Sequence, residues 1–169
     1  MSRVQGFLFD LDGTLIDSMP HHHDAWVAWH ARRGLSIDAD AFFVATAGRS
    51  NDEILADMFP QASADERLAM ANEKERLYRE IAAPKLALIA GAQQFIDASL
   101  AAGIRLAVCT ASTPENMALA FDTAVPFGMS ARQQNAWMTS GGGADLVNEL
   151  LKEYNTRMFA CGNTGTQMG

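Results

Sequence analysis

The chain carries one sharply defined stretch near its start: Phe7-Leu8-Phe9-Asp10-Leu11-Asp12-Gly13-Thr14-Leu15. The apolar run over residues 4–9, closed by an Asp-Gly turn, predicts a buried strand. Because residues i and i+2 of a strand project to the same side, Asp10 and Asp12 bring two carboxylates together at its carboxyl end. Open α/β sheets bind their ligands at that edge. The stretch therefore predicts a strand that presents two acids to a ligand.

These two acids indicate phosphate chemistry. Two like charges repel each other unless a cation neutralises them, and Mg²⁺ takes carboxylates while it keeps positions free for a phosphate. One carboxylate can attack phosphorus, and the second can protonate the leaving group and then activate water. An ordinary Asp-Gly turn after a strand is the alternative interpretation. An EF-hand fits poorly, because its loop needs glycine at the sixth position and glutamate at the twelfth.

A second strand-like run, over residues 104–109, precedes another polar segment. It ends in Thr110, Ala111 and Ser112, and Pro114 then occupies the first position of a predicted helix. A hydroxyl beside exposed backbone N–H groups at a helix start is suited to bind phosphate. Taken alone, the segment favours a strand followed by an ordinary helix cap over a phosphate site.

The residues between the two strands have helical patterns. The patterns predict helices over 18–33, 39–45, 51–59, 63–82 and 92–102. Ser63 and Glu66 form a capping box, and we expect Glu75 and Arg79 to pair on an exposed face. The order of elements predicts an α/β fold, an open parallel sheet with a helical insertion after the first strand.

The first motif and the Thr110 segment resemble the haloacid dehalogenase superfamily, in the group of sugar-phosphate phosphatases and β-phosphoglucomutase-like enzymes. The resemblance covers residues 1–118 and implies a truncated, Rossmann-like parallel sheet with an α-helical cap. It implies Asp10 as nucleophile, Asp12 as acid and base, and both as ligands of Mg²⁺. It also implies phosphate binding by Thr110, Ala111 and Ser112, and a small phosphorylated sugar as substrate.

The helical insertion resembles the family's cap, which implies three domains. Residues 1–16 and 85–118 would form the incomplete core, residues 17–84 the cap, and residues 119–169 a separate segment. Within the cap, the resemblance implies substrate contacts by His22, Arg49 and Asn51.

Several other histidine, tryptophan and cysteine residues of the first 118 positions are interpreted as packed side chains and not as functional groups. A metal site at His21, His22 and His23 is disfavoured, because consecutive helical residues point about 100° apart. We expect Trp26 and Trp29 to pack in the core of the cap. His30 reads as a packed or half-exposed helix residue, and Cys109 as a small apolar residue of a strand.

The last 51 residues depart from the family pattern. The family's later motifs supply a lysine and, after a further strand, one or two acids. In this part of the chain the only lysine is Lys152, and the strand-like run at 158–161 is followed by Asn163 and by no acid. Since phosphoryl transfer depends on positioning and charge neutralisation, we expect impaired activity.

Two strings in that segment resemble a different family. They lie at 124–143 and 160–169, and they resemble the solute-binding proteins of tripartite ATP-independent periplasmic (TRAP) transporters that bind small carboxylates or keto acids. The sequence is thus interpreted as a mosaic with its junction near 116–122 and a foreign C-terminal segment. A carboxylate-binding fragment and a fusion without function are the alternatives to a phosphatase.

Composition excludes several further classes. The formal net charge of −7 disfavours binding to nucleic acid or anionic membranes, and no apolar run is long enough to span a bilayer. No secretory signal is recognisable at the start of the chain. Two cysteines cannot form a disulfide framework, so a cytoplasmic location is expected. The oligomeric state is not predicted.

Overall fold

A computed structural model of the chain describes residues 6–108 and 110–124. Within these residues the elements, in chain order, are β1 (Gly6–Phe9), α1 (Met19–Arg32), α2 (Ala39–Thr46), α3 (Asn51–Met58), α4 (Ala64–Ala82), α5 (Ala92–Ala101), β2 (Arg105–Val108) and α6 (Pro114–Thr123). The predictions for Cys109, for Lys152 and Asn163, and for a foreign segment beyond residue 124 lie outside the described residues. Ser18–Lys85 forms one compact unit, and the described residues on either side form the other.

The flanking unit contains a pair of parallel strands. β1 pairs with β2 in a register that sets Phe9 opposite Val108, so both strands end at the same edge. Phe7 and Phe9 share one face of β1, where their rings lie 5.2 and 5.8 Å from the ring of Phe95 on α5. The predicted α/β class, with parallel pairing and helices inserted between the two strands, is confirmed.

The segment in which the chain leaves this unit lies beside the segment in which it returns. The Asp17 N–H donates to the Ala87 carbonyl and the Ile89 N–H donates to the Leu15 carbonyl, each over 2.9 Å. Ile16 and Leu88 form an isolated antiparallel bridge between these segments. The two ends of the helical insertion are thus tied to each other by backbone hydrogen bonds.

The inserted unit is a helical bundle in which α1 and α3 both pack against α4. Trp26 and Trp29 are buried, with their ring centroids 5.5 Å apart, and the Trp29 ring lies 6.1 Å from Phe59. The prediction that both tryptophans belong to the core of the cap is therefore confirmed. His30 is buried too, and its Nδ1 lies 2.8 Å from the Trp26 carbonyl oxygen.

The predicted helix starts are found where side chains cap the backbone. Ser63 accepts from the Glu66 N–H and the Glu66 carboxylate accepts from the Ser63 N–H, which is the predicted capping box. One expectation for this helix is wrong, because Glu75 lies in the interior and not on an exposed face. The reason is that α4 has neighbours on two sides, so its buried face is wider than a single contact would require.

Among the described residues, no helix combines the length and the apolar character that crossing a bilayer requires.

Candidate active site

The two acids of the first motif lie on a tight turn after β1. The buried Leu11 anchors the turn, and its carbonyl accepts hydrogen bonds from the N–H groups of Leu15 and Ile16 at 2.9 and 3.1 Å. Gly13 has a φ of +70°, a conformation that glycine adopts without steric cost. The turn thereby holds Asp10, which is exposed, and Asp12, which is partly buried, at the carboxyl end of β1.

The hydroxyl segment after β2 meets this turn. The Ser112 hydroxyl donates a hydrogen bond to Oδ2 of Asp12 across 100 positions of sequence. The Ser112 N–H donates to Oγ1 of Thr110 at 3.2 Å, so the two hydroxyl residues support each other. Three predicted site residues, Asp12, Thr110 and Ser112, are therefore brought together. Ala111, between the two hydroxyl residues, is exposed.

The helix that follows begins beside this segment. The Thr113 hydroxyl caps α6 by accepting from the Asn116 N–H at 3.3 Å, and Pro114 occupies the first turn without an N–H to satisfy. The start of α6 thus lies directly after the polar segment, in the position that favours an anion.

The donor set at the turn suits a hard cation. Asp10 and Asp12 offer carboxylate oxygens, and Mg²⁺ is commonly held by one or two carboxylates together with waters and substrate phosphates. In residues 6–108 and 110–124, no group of three or more His, Cys, Asp or Glu side chains is placed to hold a metal. The carboxylates of Asp10 and Asp12 are of the ligand type that fits Mg²⁺.

Polar side chains also gather within the helical unit, and His22 is one of them. Nδ1 of His22 lies 2.8 Å from Nζ of Lys74, and its ring stacks on Tyr78 with centroids 3.8 Å apart. Nζ of Lys74 also donates to Oε1 of Glu75 at 2.9 Å, and the Asn51 amide donates to the same oxygen at 2.6 Å. The predicted substrate residues His22 and Asn51 are thus joined through Lys74 and Glu75.

Arg49, the third predicted substrate residue of the cap, has other partners. Its guanidinium pairs with the Asp57 carboxylate at 2.6 Å and donates to the Glu53 carbonyl at 3.1 Å. Both contacts are with α3 and are exposed. Arg49 thus contacts α3 in this structure, and its contact with substrate stays a prediction.

Lys74 and Glu75 are the polar residues of this cluster that the sequence analysis missed. A signal was present, because Lys74 stands three and four positions before Leu77 and Tyr78, the spacing of a single helix face. A lysine on an apolar face is an anomaly that calls for a buried partner. The identity of that partner depends on α1 and α3, which lie far away in sequence.

Comparisons with known proteins agree with this arrangement. The model of the family of haloacid dehalogenase-like hydrolases matches residues 4–128. Hexitol phosphatase A of Escherichia coli is 50% identical over 42 residues, which are 25% of this chain and 19% of that protein. CbbY of Rhodobacter sphaeroides, solved in complex with phosphate, superposes with a TM-score of 0.61 at 24% identity and covers 78% of this chain and 60% of its own.

A relative of another kind matches a shorter piece. A monocarboxylate 2-oxoacid-binding periplasmic protein of Nostoc is 48% identical over 52 residues, which are 31% of this chain and 14% of that protein. Residues 118–169, where the sequence resembles a transporter solute-binding protein, have this same length. The chain spans less than two thirds of the length of each of these three proteins.

Proposed function

The chain belongs to the haloacid dehalogenase-like hydrolases, and from this we propose that it is a Mg²⁺-dependent phosphatase or phosphomutase for a small sugar phosphate. The observation that carries the proposal is the hydrogen bond from Ser112 to Asp12, which joins the ends of both strands in one polar cluster. Hexitol phosphatase A, whose name states a sugar-alcohol phosphatase, supports the choice of substrate class. We place the reaction in the cytoplasm, because the two cysteines fit a reducing compartment.

Asp10, Asp12 and Ser112 have different roles in the proposed reaction. A carboxylate oxygen of Asp10 attacks phosphorus, and the bond from phosphorus to the sugar oxygen breaks, which leaves an aspartyl-phosphate. Asp12 gives its proton to the departing sugar oxygen and later takes a proton from the water that attacks the aspartyl-phosphate. That attack breaks the bond from phosphorus to the Asp10 oxygen, so phosphate leaves and the Asp10 carboxylate is restored. The hydrogen bond from Ser112 orients the Asp12 carboxyl for both transfers. In a phosphomutase, a hydroxyl of the sugar replaces the water.

Mg²⁺ held by Asp10, and by Asp12 once that carboxyl has given up its proton, would neutralise charge that builds on the phosphate oxygens. Thr110, Ser112 and the start of α6 would bind the phosphate by hydrogen bonds. In the cap, His22 and Asn51 would contact the sugar. We propose that turnover is impaired, because the segment after residue 118 has Lys152 as its only lysine and has no acid after the strand-like run at 158–161.

A colorimetric assay of phosphate release from sugar phosphates tests the proposal. We expect slow hydrolysis that requires Mg²⁺, and we expect Asp10→Asn to reduce it to background. Ser112→Ala should lower kcat/KM by about tenfold to a hundredfold, because a hydrogen bond to a charged group is lost.

Asp97→Asn is the matched control, since Asp97 is an exposed acid of α5 whose carboxylate accepts a hydrogen bond from the Gln93 amide at 2.8 Å. Its rate should equal that of the parent. Activity of Asp10→Asn at the parent level would contradict the role of Asp10. Turnover as fast as that of complete family members would contradict the proposed impairment.

The match to the periplasmic protein favours a second candidate, a mosaic whose C-terminal segment binds a small carboxylate. Calorimetry with pyruvate tests it, and saturable heat would support binding whereas no heat would end it. Sequencing independent isolates across residues 116–122 tests the mosaic itself. An uninterrupted phosphatase reading frame there would contradict a natural fusion.

A further inference from the structure

Lys74 and Glu75 form an ion pair inside the helical unit. Their side chains are 3% and 9% exposed, and Nζ of Lys74 lies 2.9 Å from Oε1 of Glu75. Neighbouring charged residues on a helix are seldom both buried, because removing each charge from water is costly unless the two are paired. Two buried charges at successive positions therefore require a reason beyond the packing of α4.

The pair contacts a polar residue on each of two other helices. The Asn51 amide, at the start of α3, donates to the Glu75 oxygen that also accepts from Lys74. Lys74 reaches Nδ1 of His22 on α1 at 2.8 Å. A continuous line of hydrogen bonds runs from Asn51 through Glu75 and Lys74 to His22.

This line determines which ring nitrogen of His22 carries the proton. An ammonium group has donors only, so Nδ1 must accept, and the proton of a neutral imidazole then lies on Nε2. The stacked ring of Tyr78 fixes the plane of the imidazole. When the ring of His22 carries a single N–H group, that group is therefore at Nε2.

The charge of Glu75 keeps Lys74 in the donor form. A buried ammonium without a counter-charge readily loses its proton, and the resulting amine has a lone pair. Such an amine can accept from an Nδ1–H group, so both tautomers of His22 would become accessible. The single tautomer therefore depends on the charge of Glu75, which acts on the ring through Lys74.

We propose that Glu75 is a positioning residue that holds Lys74 as an ammonium and thereby fixes His22 as the Nε2–H tautomer. His22 then offers a neutral donor to an oxygen acceptor, either a hydroxyl or a phosphate oxygen of the sugar phosphate. Only this last step, the identity of the acceptor, rests on the proposed function.

Long-range ¹H–¹⁵N correlation of the histidine rings in the full chain tests the proposal. The chain contains four histidines, and His22→Gln identifies the signals of the ring in question by their loss. In the parent protein above the titration range of imidazole, we expect the Nε2–H pattern alone for His22. A predominant Nδ1–H pattern, or an even mixture, would overturn the proposal without the need for any variant.

Variants of α4 separate the charge of Glu75 from its bulk. Glu75→Gln should convert the single tautomer of His22 into a mixture, and Glu75→Asp should restore the Nε2–H form. Glu73→Gln removes a carboxylate two positions away that pairs with Arg33, so its His22 signals should match those of the parent. Unchanged His22 signals in Glu75→Gln would refute the role of Glu75.

The spectrum is independent of turnover. A parent chain that hydrolyses no sugar phosphate but shows the expected tautomer would refute the proposed function alone. An active parent with the Nδ1–H form would refute the positioning role alone.

Discussion

Glu73 is an example of a single residue whose ionisation supports the fold. Its carboxylate accepts a hydrogen bond from the Arg33 guanidinium at 2.5 Å, and that guanidinium also stacks over Trp29 at 3.8 Å. The hydrogen bond from Arg33 is the main reason that the pKa of Glu73 lies below the value of 4.5 for an unperturbed glutamate, and burial opposes it. Ionised Glu73 is therefore favoured in the folded chain.

The lowered pKa of Glu73 determines how its contribution to the free energy of unfolding changes with pH. Because the pKa is lower in the folded than in the unfolded chain, the contribution is fully present above about pH 4.5 and is lost as the pH falls through the folded value. We expect Glu73→Gln to lower the free energy of unfolding at pH 7 by roughly 0.5–1 kcal/mol, as for a partly exposed ion pair. Urea unfolding from pH 7 down to pH 3 measures the effect, which should shrink at the acidic end.

Glu80→Gln serves as its control. Glu80 is about half exposed and its distances to Arg32 and Arg76 are both 3.8 Å, so its replacement should have a smaller effect on stability at pH 7. A loss in Glu73→Gln that is equally large at pH 3 and pH 7 would point to packing and not to charge.

Among the elements, α4 depends most visibly on its first turn. The Ser63 hydroxyl accepts from the Glu66 N–H at 3.3 Å and so satisfies one of the donors that every helix start leaves without an intrahelical partner. α4 is also the helix against which α1 and α3 pack. Weakening its start therefore affects the packing of the whole bundle.

We expect Ser63→Ala to lower the free energy of unfolding by about 1 kcal/mol, the usual cost of losing such a cap. Thermal or urea unfolding followed by helical circular dichroism measures the loss. Ser36→Ala, in the exposed connection before α2, is the comparison variant, and it should behave as the parent does. Equal stability of the two variants would show that the capping box contributes nothing to the fold.

The same elements show what could be predicted from sequence. The bounds of α1 and α4 are found within one residue of their predicted positions, because Gly34 and the Ser63 capping box are local signals. Local signals also placed Asp10 and Asp12 after a strand. The position of Glu75 was predicted wrongly, because the wider buried face of α4 is created by helices far away in sequence.

In the molecule as a whole, two polar clusters are built by contacts between residues that lie far apart in sequence. The first cluster is Asp12, Thr110 and Ser112, and the second is His22, Asn51, Lys74 and Glu75. Ser112 reaches Asp12 over 100 positions and Lys74 reaches His22 over 52. No periodicity or cap encodes such pairings, since they arise only when strands and helices have packed. The resemblance to a family supplied the residues of the first cluster, whereas only the structure supplied Lys74 and Glu75.

The paired backbone at the ends of the insertion has a consequence for how such chains diversify. Because Asp17 and Ala87 are hydrogen-bonded neighbours, the 68 residues between Ser18 and Lys85 close a loop whose ends already lie together. Lengthening, shortening or exchanging that loop leaves the order and pairing of β1 and β2 unaltered. Evolution, or an engineer, can therefore exchange the inserted unit as one continuous piece of the gene while the strands of the flanking unit stay paired.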